Sequence, residues 1–220
     1  MTLVSHGTAA KLRLLGLGIV ISLVSVLVTG NYTVNAVPAG TLNQTINSSI
    51  LSTDIKDALS VSVPSPSFTL GATTITTYCQ TTDGIYGSNA ERIYVDNPGM
   101  ANDGWSLTVA ATGGSGAKWT AGAHNYDYDD PSGSGCTNGQ LSLDPSAATL
   151  TLETGAATGI TLGSADSFVN GSSITLLNGD ASSDNFWRGY LTGIELSQKI
   201  PASTPAGSYV LDLTQTITNL

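Results

Sequence analysis

The chain has 220 residues, with 16 acidic and 7 basic side chains and a net charge of −9. A nucleic-acid-binding protein needs the opposite sign, because its affinity comes largely from cations that neutralise phosphates. The composition therefore excludes nucleic acid as a partner, and it disfavours binding to an anionic membrane surface.

The N-terminal 36 residues have the pattern of an export signal. Lys11 and Arg13 give a basic start, and an uncharged apolar run follows over residues 14–28. Val34-Asn35-Ala36 then supplies the small residues that signal peptidase prefers. The apolar run has 15 residues, fewer than the roughly 20 that span a bilayer. We expect residues 1–36 to be a cleaved signal peptide, with a retained membrane anchor as the alternative.

Cleavage would leave residues 37–220 as a secreted chain that is still more acidic. Five cations then face 16 carboxylates, which gives a net charge of −11. This part also holds the two cysteines, Cys79 and Cys136. A cysteine pair in an exported protein is typically oxidised, so we predict a disulfide between them and an extracellular location.

Short runs of alternating apolar and polar residues, separated by Gly, Pro, Asn and Asp, follow the signal segment. One such run covers residues 105–109, and another closes the chain near residues 209–213. This pattern predicts an all-β fold, a single antiparallel β-sandwich of immunoglobulin-like or jelly-roll-like type over residues 37–220. Turns are expected at Asp83-Gly84 and at Asn178-Gly179-Asp180.

Several segments have more than one possible place in this sandwich. Strands are expected at Phe68–Thr77 and Leu191–Leu196, whereas the four-residue spacing of Leu51, Ile55 and Leu59 allows one short helix. Residues 37–60 are either an N-terminal arm or the first strand. Within them the polar stretch Thr41–Ile50 could pair in the same chain or with an edge strand of another subunit.

Two short regions resemble the WxL domain, a family of secreted proteins of Gram-positive bacteria that attach non-covalently to the cell wall. The first is the strand Trp105-Ser106-Leu107, and the second is the ending from Ile200-Pro201-Ala202 through Tyr209. The resemblance implies a bacterial surface location, a cell-wall partner and a wall-binding role for Trp105 and Leu107. In this chain Gln215-Thr216-Ile217 stands where the family's second Trp-x-Leu motif is expected.

Trp105 also has a purely structural interpretation. A tryptophan that alternates with Leu107 and Val109 on one side of a strand is typical of a core residue. The motif therefore supports the fold more directly than it supports wall binding.

The densest acidic cluster is a candidate calcium site. Asn125, Asp127, Asp129 and Asp130 offer oxygen ligands in a short segment, and Ca²⁺ takes six to eight such ligands. The glycine and the closing glutamate of an EF-hand loop are missing, so any site would be irregular. The alternative is a solvated acidic loop pinned by Cys136.

Catalysis finds little support in the sequence. Once the signal is removed, the single remaining histidine is His124, and no Gly-x-Ser-x-Gly elbow accompanies it. We therefore expect no enzymatic activity and no certain cofactor. Six aromatic residues lie in or beside loops, where they could form a glycan-binding face or pack over the ends of the sandwich; they are Trp119, Tyr126, Tyr128, Phe186, Trp187 and Tyr190.

Together these features predict a non-catalytic, structural or adhesive protein of the bacterial surface that binds peptidoglycan or another envelope glycan. One alternative is a pilus-like filament of identical subunits, in which Thr41–Ile50 or Tyr209–Ile217 completes a neighbour's sheet. Another is a carbohydrate-binding module that depends on the candidate calcium site.

Overall fold

A computed structural model describes residues 50–99, 103–132 and 135–220, and its regular structure is almost entirely β. The predicted signal peptide and most of the predicted N-terminal arm lie outside the described residues. The strands are β1 (Ser52–Lys56), β2 (Gln80–Tyr86), β3 (Arg92–Pro98), β4 (Gly104–Ala111), β5 (Trp119–Ala121), β6 (His124–Tyr126), β7 (Gln140–Asp144), β8 (Thr149–Thr154), β9 (Ile160–Leu162), β10 (Asp166–Ser167), β11 (Ile174–Asp180), β12 (Phe186–Thr192), β13 (Ile194–Ile200) and β14 (Leu213–Asn219).

Three four-stranded antiparallel sheets and one hairpin pack together into an all-β sandwich, which confirms the predicted fold class. The sheet orders are β1-β3-β12-β8, β10-β7-β13-β2 and β14-β4-β11-β9, and the hairpin is β5-β6. Two short 3-10 turns, Gly114–Gly116 and Pro145–Ala147, are the helical elements of the described part. Within it, no helix has the length and apolar character needed to cross a membrane.

Strand β4 shows how alternation builds the core. Trp105, Leu107, Val109 and Ala111 are buried, while the residues between them are more exposed. Because successive strand side chains point to opposite faces, this one strand supplies four neighbouring core residues. Other strands, and Phe168 just after β10, contribute the remaining large buried side chains, among them Ile93, Leu141, Leu143, Ile174, Leu177 and Trp187.

The short helix allowed by Leu51, Ile55 and Leu59 is a wrong prediction. Residues 52–56 form strand β1, which pairs with β3 from Ser52↔Asp96 to Lys56↔Arg92. The neighbouring strand supplies the backbone hydrogen bonds that an isolated helical turn would have to make alone, so tertiary pairing overrides the local spacing.

The two turns predicted at glycines are also wrong, and in both places the glycine lies inside a strand. A Cβ on Gly84 in β2 would lie 2.7 Å from the carbonyl oxygen of Thr69. A Cβ on Gly179 in β11 would lie 2.5 Å from the indole of Trp105. Glycine is needed there because another part of the chain approaches the strand closely.

Three of the predicted strands differ from the structure. The closing strand predicted near residues 209–213 begins only at Leu213, since Val210 makes just an isolated bridge to Thr120. Residues 68–77 form no strand and contribute an isolated bridge between Leu70 and Gly84. The strand predicted over 191–196 is divided at Gly193, whose φ of +78° turns β12 into β13. A left-handed backbone at this position suits glycine, so the residue acts as a hairpin turn.

Candidate functional site

Trp105 and Leu107, the residues linked to wall binding by resemblance, lie in the core. Both have an exposed fraction of 0%. The Trp105 ring lies 5.2 Å from the ring of Trp187, measured between centroids. Neither side chain reaches the surface, so the interpretation of Trp105 as a core residue is the correct one and these two residues offer no ligand-binding face.

The predicted disulfide between Cys79 and Cys136 is present. It joins the segment that leads into β2 to the loop that leads into β7. The bond therefore ties together the two stretches that lead into β2 and β7, two strands of the same sheet.

The acidic cluster is organised by hydrogen bonds within the protein. Asp127 forms an ion pair with Lys118 at 3.2 Å. Asp129 accepts a hydrogen bond from the backbone N–H of Gly171. Asp130 accepts one from the N–H of Ser132 at 2.9 Å, and Asn125 is exposed on β6. Most of the carboxylate oxygens are thus engaged by the protein's own donors.

These candidate calcium ligands do not assemble into a coordination sphere. Oδ2 of Asp130 is buried without a hydrogen-bond partner. However, no group of three or more His, Cys, Asp or Glu side chains converges to hold a metal anywhere in the described ranges. A calcium ion needs six to eight oxygen ligands, so one free carboxylate oxygen does not make the site.

Asp127 and Asp129 instead form an electrostatically linked pair. Burial, a hydrogen bond with Asp127 and the negative charge of Asp127 raise the pKa of Asp129 to about 6. Burial acts in the same direction on Asp127, but hydrogen bonds from Asp129 and Lys118 outweigh it and hold the pKa of Asp127 below its ordinary value. Asp127 is thus the carboxyl that ionises first, and its negative charge disfavours ionisation of Asp129.

A cleft of about 400 Å³ lies next to this cluster, in the size range of small-molecule sites. One wall consists of residues 73–76 and Gln80, and the other consists of residues 200–201 and 204–207. Tyr126 and Tyr209 complete the lining. None of the described residues that line this cleft carries a charge, although the chain as a whole is strongly acidic. We call it the tyrosine cleft.

The two tyrosines of the cleft form a row with the neighbouring Trp119, and hydrogen bonds hold Trp119 and Tyr209 in position. The Tyr126 ring lies 4.9 Å from Tyr209 in an edge-on arrangement and 6.2 Å from Trp119 in a stacked one. The Trp119 indole donates a hydrogen bond of 2.7 Å to the buried side chain of Gln198. The Tyr209 hydroxyl donates to the carbonyl of Pro205 at 2.9 Å. These bonds fix the orientation of the rings.

The opposite wall is also constrained. The Gln80 side chain donates to the carbonyl of Thr74 at 2.6 Å, and the N–H of Ser203 donates to the carbonyl of Thr76 at 2.8 Å. Cys79, which precedes Gln80, anchors this wall through the disulfide. Burial, followed by the proximity of Tyr209, raises the pKa of Tyr126, so its phenol stays neutral.

The sequence indicated only part of this cleft. Tyr126 was among the six loop aromatics, whereas Tyr209 was noted only as part of the closing strand. Of the other loop aromatics, Trp119 stacks on Tyr126, Tyr128 and Trp187 are buried, and Phe186 is 67% exposed. The one signal for the second wall was the proline-rich stretch around Pro201 and Pro205, which predicts a rigid loop but not its neighbours.

A second concavity, of about 680 Å³, lies on the outward face of the β10-β7-β13-β2 sheet. Its lining includes the carboxylates of Asp83, Asp144, Asp166 and Glu195. Glu195 is paired directly with Asp144 across the strands, and like charges in that position are destabilising. His124 begins strand β6 and is exposed to solvent.

Comparison with known proteins gives no further guide to this site. No protein family, curated protein or solved structure matches the chain.

Proposed function

We propose that this is an exported, non-catalytic protein of the bacterial surface that attaches to an envelope glycan. The observation that carries the proposal is the disulfide between Cys79 and Cys136. Disulfides persist in exported proteins and are rare in the reducing cytoplasm. The export pattern of residues 1–36, the acidic charge and the WxL-like regions support the same conclusion.

The direct test is to express the full chain with its native N-terminus in a bacterial host and to fractionate the cells. We expect the protein in the surface fraction, with a disulfide that protects both cysteines from thiol labelling. The purified protein should then co-sediment with isolated cell-wall sacculi. Recovery of a reduced protein in the cytoplasm would contradict export, and an exported protein that stays in the supernatant would contradict attachment.

An open sheet edge favours a second candidate, a subunit of a surface filament. Strand β14 pairs with β4 and with no other strand in the described part of the chain. The N–H of Thr112 bonds to Asp212 and that of Leu220 bonds to Gly104. In an antiparallel pair, every second residue bonds to the partner strand, and here these are the even-numbered residues of β14. The backbone N–H and C=O groups of the odd-numbered residues therefore point away from β4.

The composition of this edge is unusual for a soluble protein. The sequence Leu-Thr-Gln-Thr-Ile-Thr-Asn of β14 has no proline and no charge, although natural proteins commonly use both to protect edge strands. A strand from a second copy could therefore add to the sheet by β-augmentation.

Electron microscopy of the purified protein tests this candidate. If β14 mediates assembly, Thr216→Lys should abolish fibres, because a charge at an open edge disfavours strand addition. Thr108→Lys is the matched control, since Thr108 lies directly opposite Thr216 on the inner strand β4. Absence of fibres in the unmodified protein, or equal loss in both variants, would reject the candidate.

A further inference from the structure

We propose that the tyrosine cleft binds uncharged sugar rings, and that it is the site through which the protein contacts its glycan. This inference rests on the proposed attachment to the envelope and adds to it the location of the site and the class of ligand. It concerns residues other than Trp105 and Leu107, which are buried.

The aromatic part of the lining suits a pyranose ring. One face of a sugar ring presents mainly C–H groups, which pack against the negative face of an aromatic ring. Tyr126 and Tyr209 meet edge-on at 4.9 Å, so they offer two differently inclined rings to one ligand. Since the Tyr209 hydroxyl is bonded to Pro205, its ring needs no reorientation on binding.

The lining selects against charged ligands. It contains no cation to pair with a carboxylate, sulfate or phosphate, and enclosing an unpaired charge is costly. The net charge of −9 adds a long-range repulsion against anions. There is also no carboxylate in the lining to attract a cationic ligand. A neutral, hydroxyl-rich molecule is the class that remains.

Polar groups for that ligand are available on the wall that contains residues 73–76. The side-chain hydroxyls of Thr73 and Thr74 are exposed and form no hydrogen bond with the described residues. A threonine hydroxyl both donates and accepts, which matches the hydroxyls of a sugar. Because Gln80 and Ser203 already hold the backbone of this wall, little ordering is needed on binding.

The experiment is a titration of the full-length exported protein with soluble oligosaccharides, followed by NMR and calorimetry. The probes are neutral oligomers of N-acetylglucosamine, of mannose and of glucose, with oligogalacturonate as the anionic comparison. We expect at least one neutral probe to shift the signals of residues 73–76 and Tyr209, with oligogalacturonate giving no effect. Binding should be unchanged in EDTA, because no metal takes part.

Variants of Tyr209 distinguish the loss of an aromatic stack from a general loss of folding. Tyr209→Ala should weaken binding of the neutral probe by about tenfold or more, the size expected for loss of an aromatic stack. Tyr209→Phe keeps the ring and should bind within about threefold of the unmodified protein. Phe186→Ala, which removes an aromatic side chain that is 67% exposed, is the matched control and should bind normally.

The outcome also distinguishes this inference from the proposed function. If the protein sediments with sacculi but Tyr209→Ala sediments equally well, attachment stands and the tyrosine cleft is not its site. Binding of oligogalacturonate in preference to all neutral probes would overturn the ligand class. Failure of every neutral probe to bind at millimolar concentration would overturn the inference as well.

Discussion

At the scale of single residues, Trp105 owes its position to the residues that enclose it. The Trp187 ring packs at 5.2 Å on one side, and Gly179 lies so close to the indole that any side chain there would collide with it. A tryptophan this well enclosed contributes mainly to stability, because its whole apolar surface is removed from water.

We predict that Trp105→Ala lowers the free energy of unfolding by about 3–5 kcal/mol, the range for removal of a large buried aromatic side chain. Urea denaturation followed by circular dichroism measures it. Phe186→Ala, with its exposed ring, should change stability by no more than about 0.5 kcal/mol. Equal effects of the two substitutions would contradict the burial of Trp105.

The Asp127–Asp129 pair gives stability a specific dependence on pH. The pKa of Asp129 is raised to about 6 in the folded protein by burial and by Asp127, against about 3.9 in the unfolded chain. Because the pKa is raised in the folded state, protonated Asp129 contributes its full stabilisation of the fold below about pH 4. This contribution is lost as pH rises through 6.

We therefore predict that Asp129→Asn becomes more stable, relative to the unmodified protein, as pH rises from 4 to 7, by on the order of 1–3 kcal/mol. Asparagine resembles the protonated carboxyl and can still accept from Gly171. Urea denaturation at each pH measures the difference. Asp103→Asn, the same change at an exposed residue outside the carboxylate clusters, is the control; a parallel trend there would rule out the pair as the cause.

At the scale of elements, the sequence predicts strands well where one face of the strand meets the core and poorly where the chain packs against itself. Strand β4 follows simple alternation, and the sequence predicts it over residues 105–109. Gly84 and Gly179 have the local composition of turns, but another part of the chain lies so close to each that a Cβ would come within 2.7 and 2.5 Å of it. The tyrosine cleft was beyond prediction for the same reason, because its walls come from segments far apart in the sequence.

The disulfide acts at this scale by restricting the segment before β2. It closes a loop with a sequence separation of 57 residues, for which chain entropy gives a stabilisation of about 4 kcal/mol. The double variant Cys79→Ser with Cys136→Ser should lose about that amount in urea denaturation. Hydrogen exchange at residues 73–76 should also become faster.

Reductant supplies the control for this experiment. Dithiothreitol should lower the stability of the unmodified protein to that of the double variant and leave the variant itself unchanged. A double variant as stable as the unmodified protein would mean that the sheets hold this segment without the bond.

At the scale of the whole molecule, charge is distributed unevenly. The concavity on the β10-β7-β13-β2 sheet gathers four carboxylates, while the tyrosine cleft has none. Three of the chain's cations lie over tyrosine rings on the β1-β3-β12-β8 sheet, Lys56 and Arg188 over Tyr94 and Arg92 over Tyr190.

If the proposed attachment to cell walls takes place through the tyrosine cleft, this distribution predicts that it is insensitive to salt. Contacts through a neutral cleft should change by less than about twofold between 0.05 and 0.5 M sodium chloride, a range in which screening removes most surface electrostatics. Sedimentation with sacculi at each concentration measures it. A steep loss of binding with salt would instead indicate that charged surfaces carry the attachment.

The position of Cys79 at the base of one cleft wall has a consequence for when the protein becomes competent. The Gln80 side chain donates a hydrogen bond to the carbonyl of Thr74. Gln80 directly follows Cys79, whose position is fixed by the bond to Cys136. In a newly made chain that is still reduced, this wall would lack the constraint of the disulfide, and the tyrosine cleft would bind sugars more weakly. If the protein is exported as proposed, oxidation after export would fix this wall, and the tyrosine cleft would become able to bind only outside the cytoplasm.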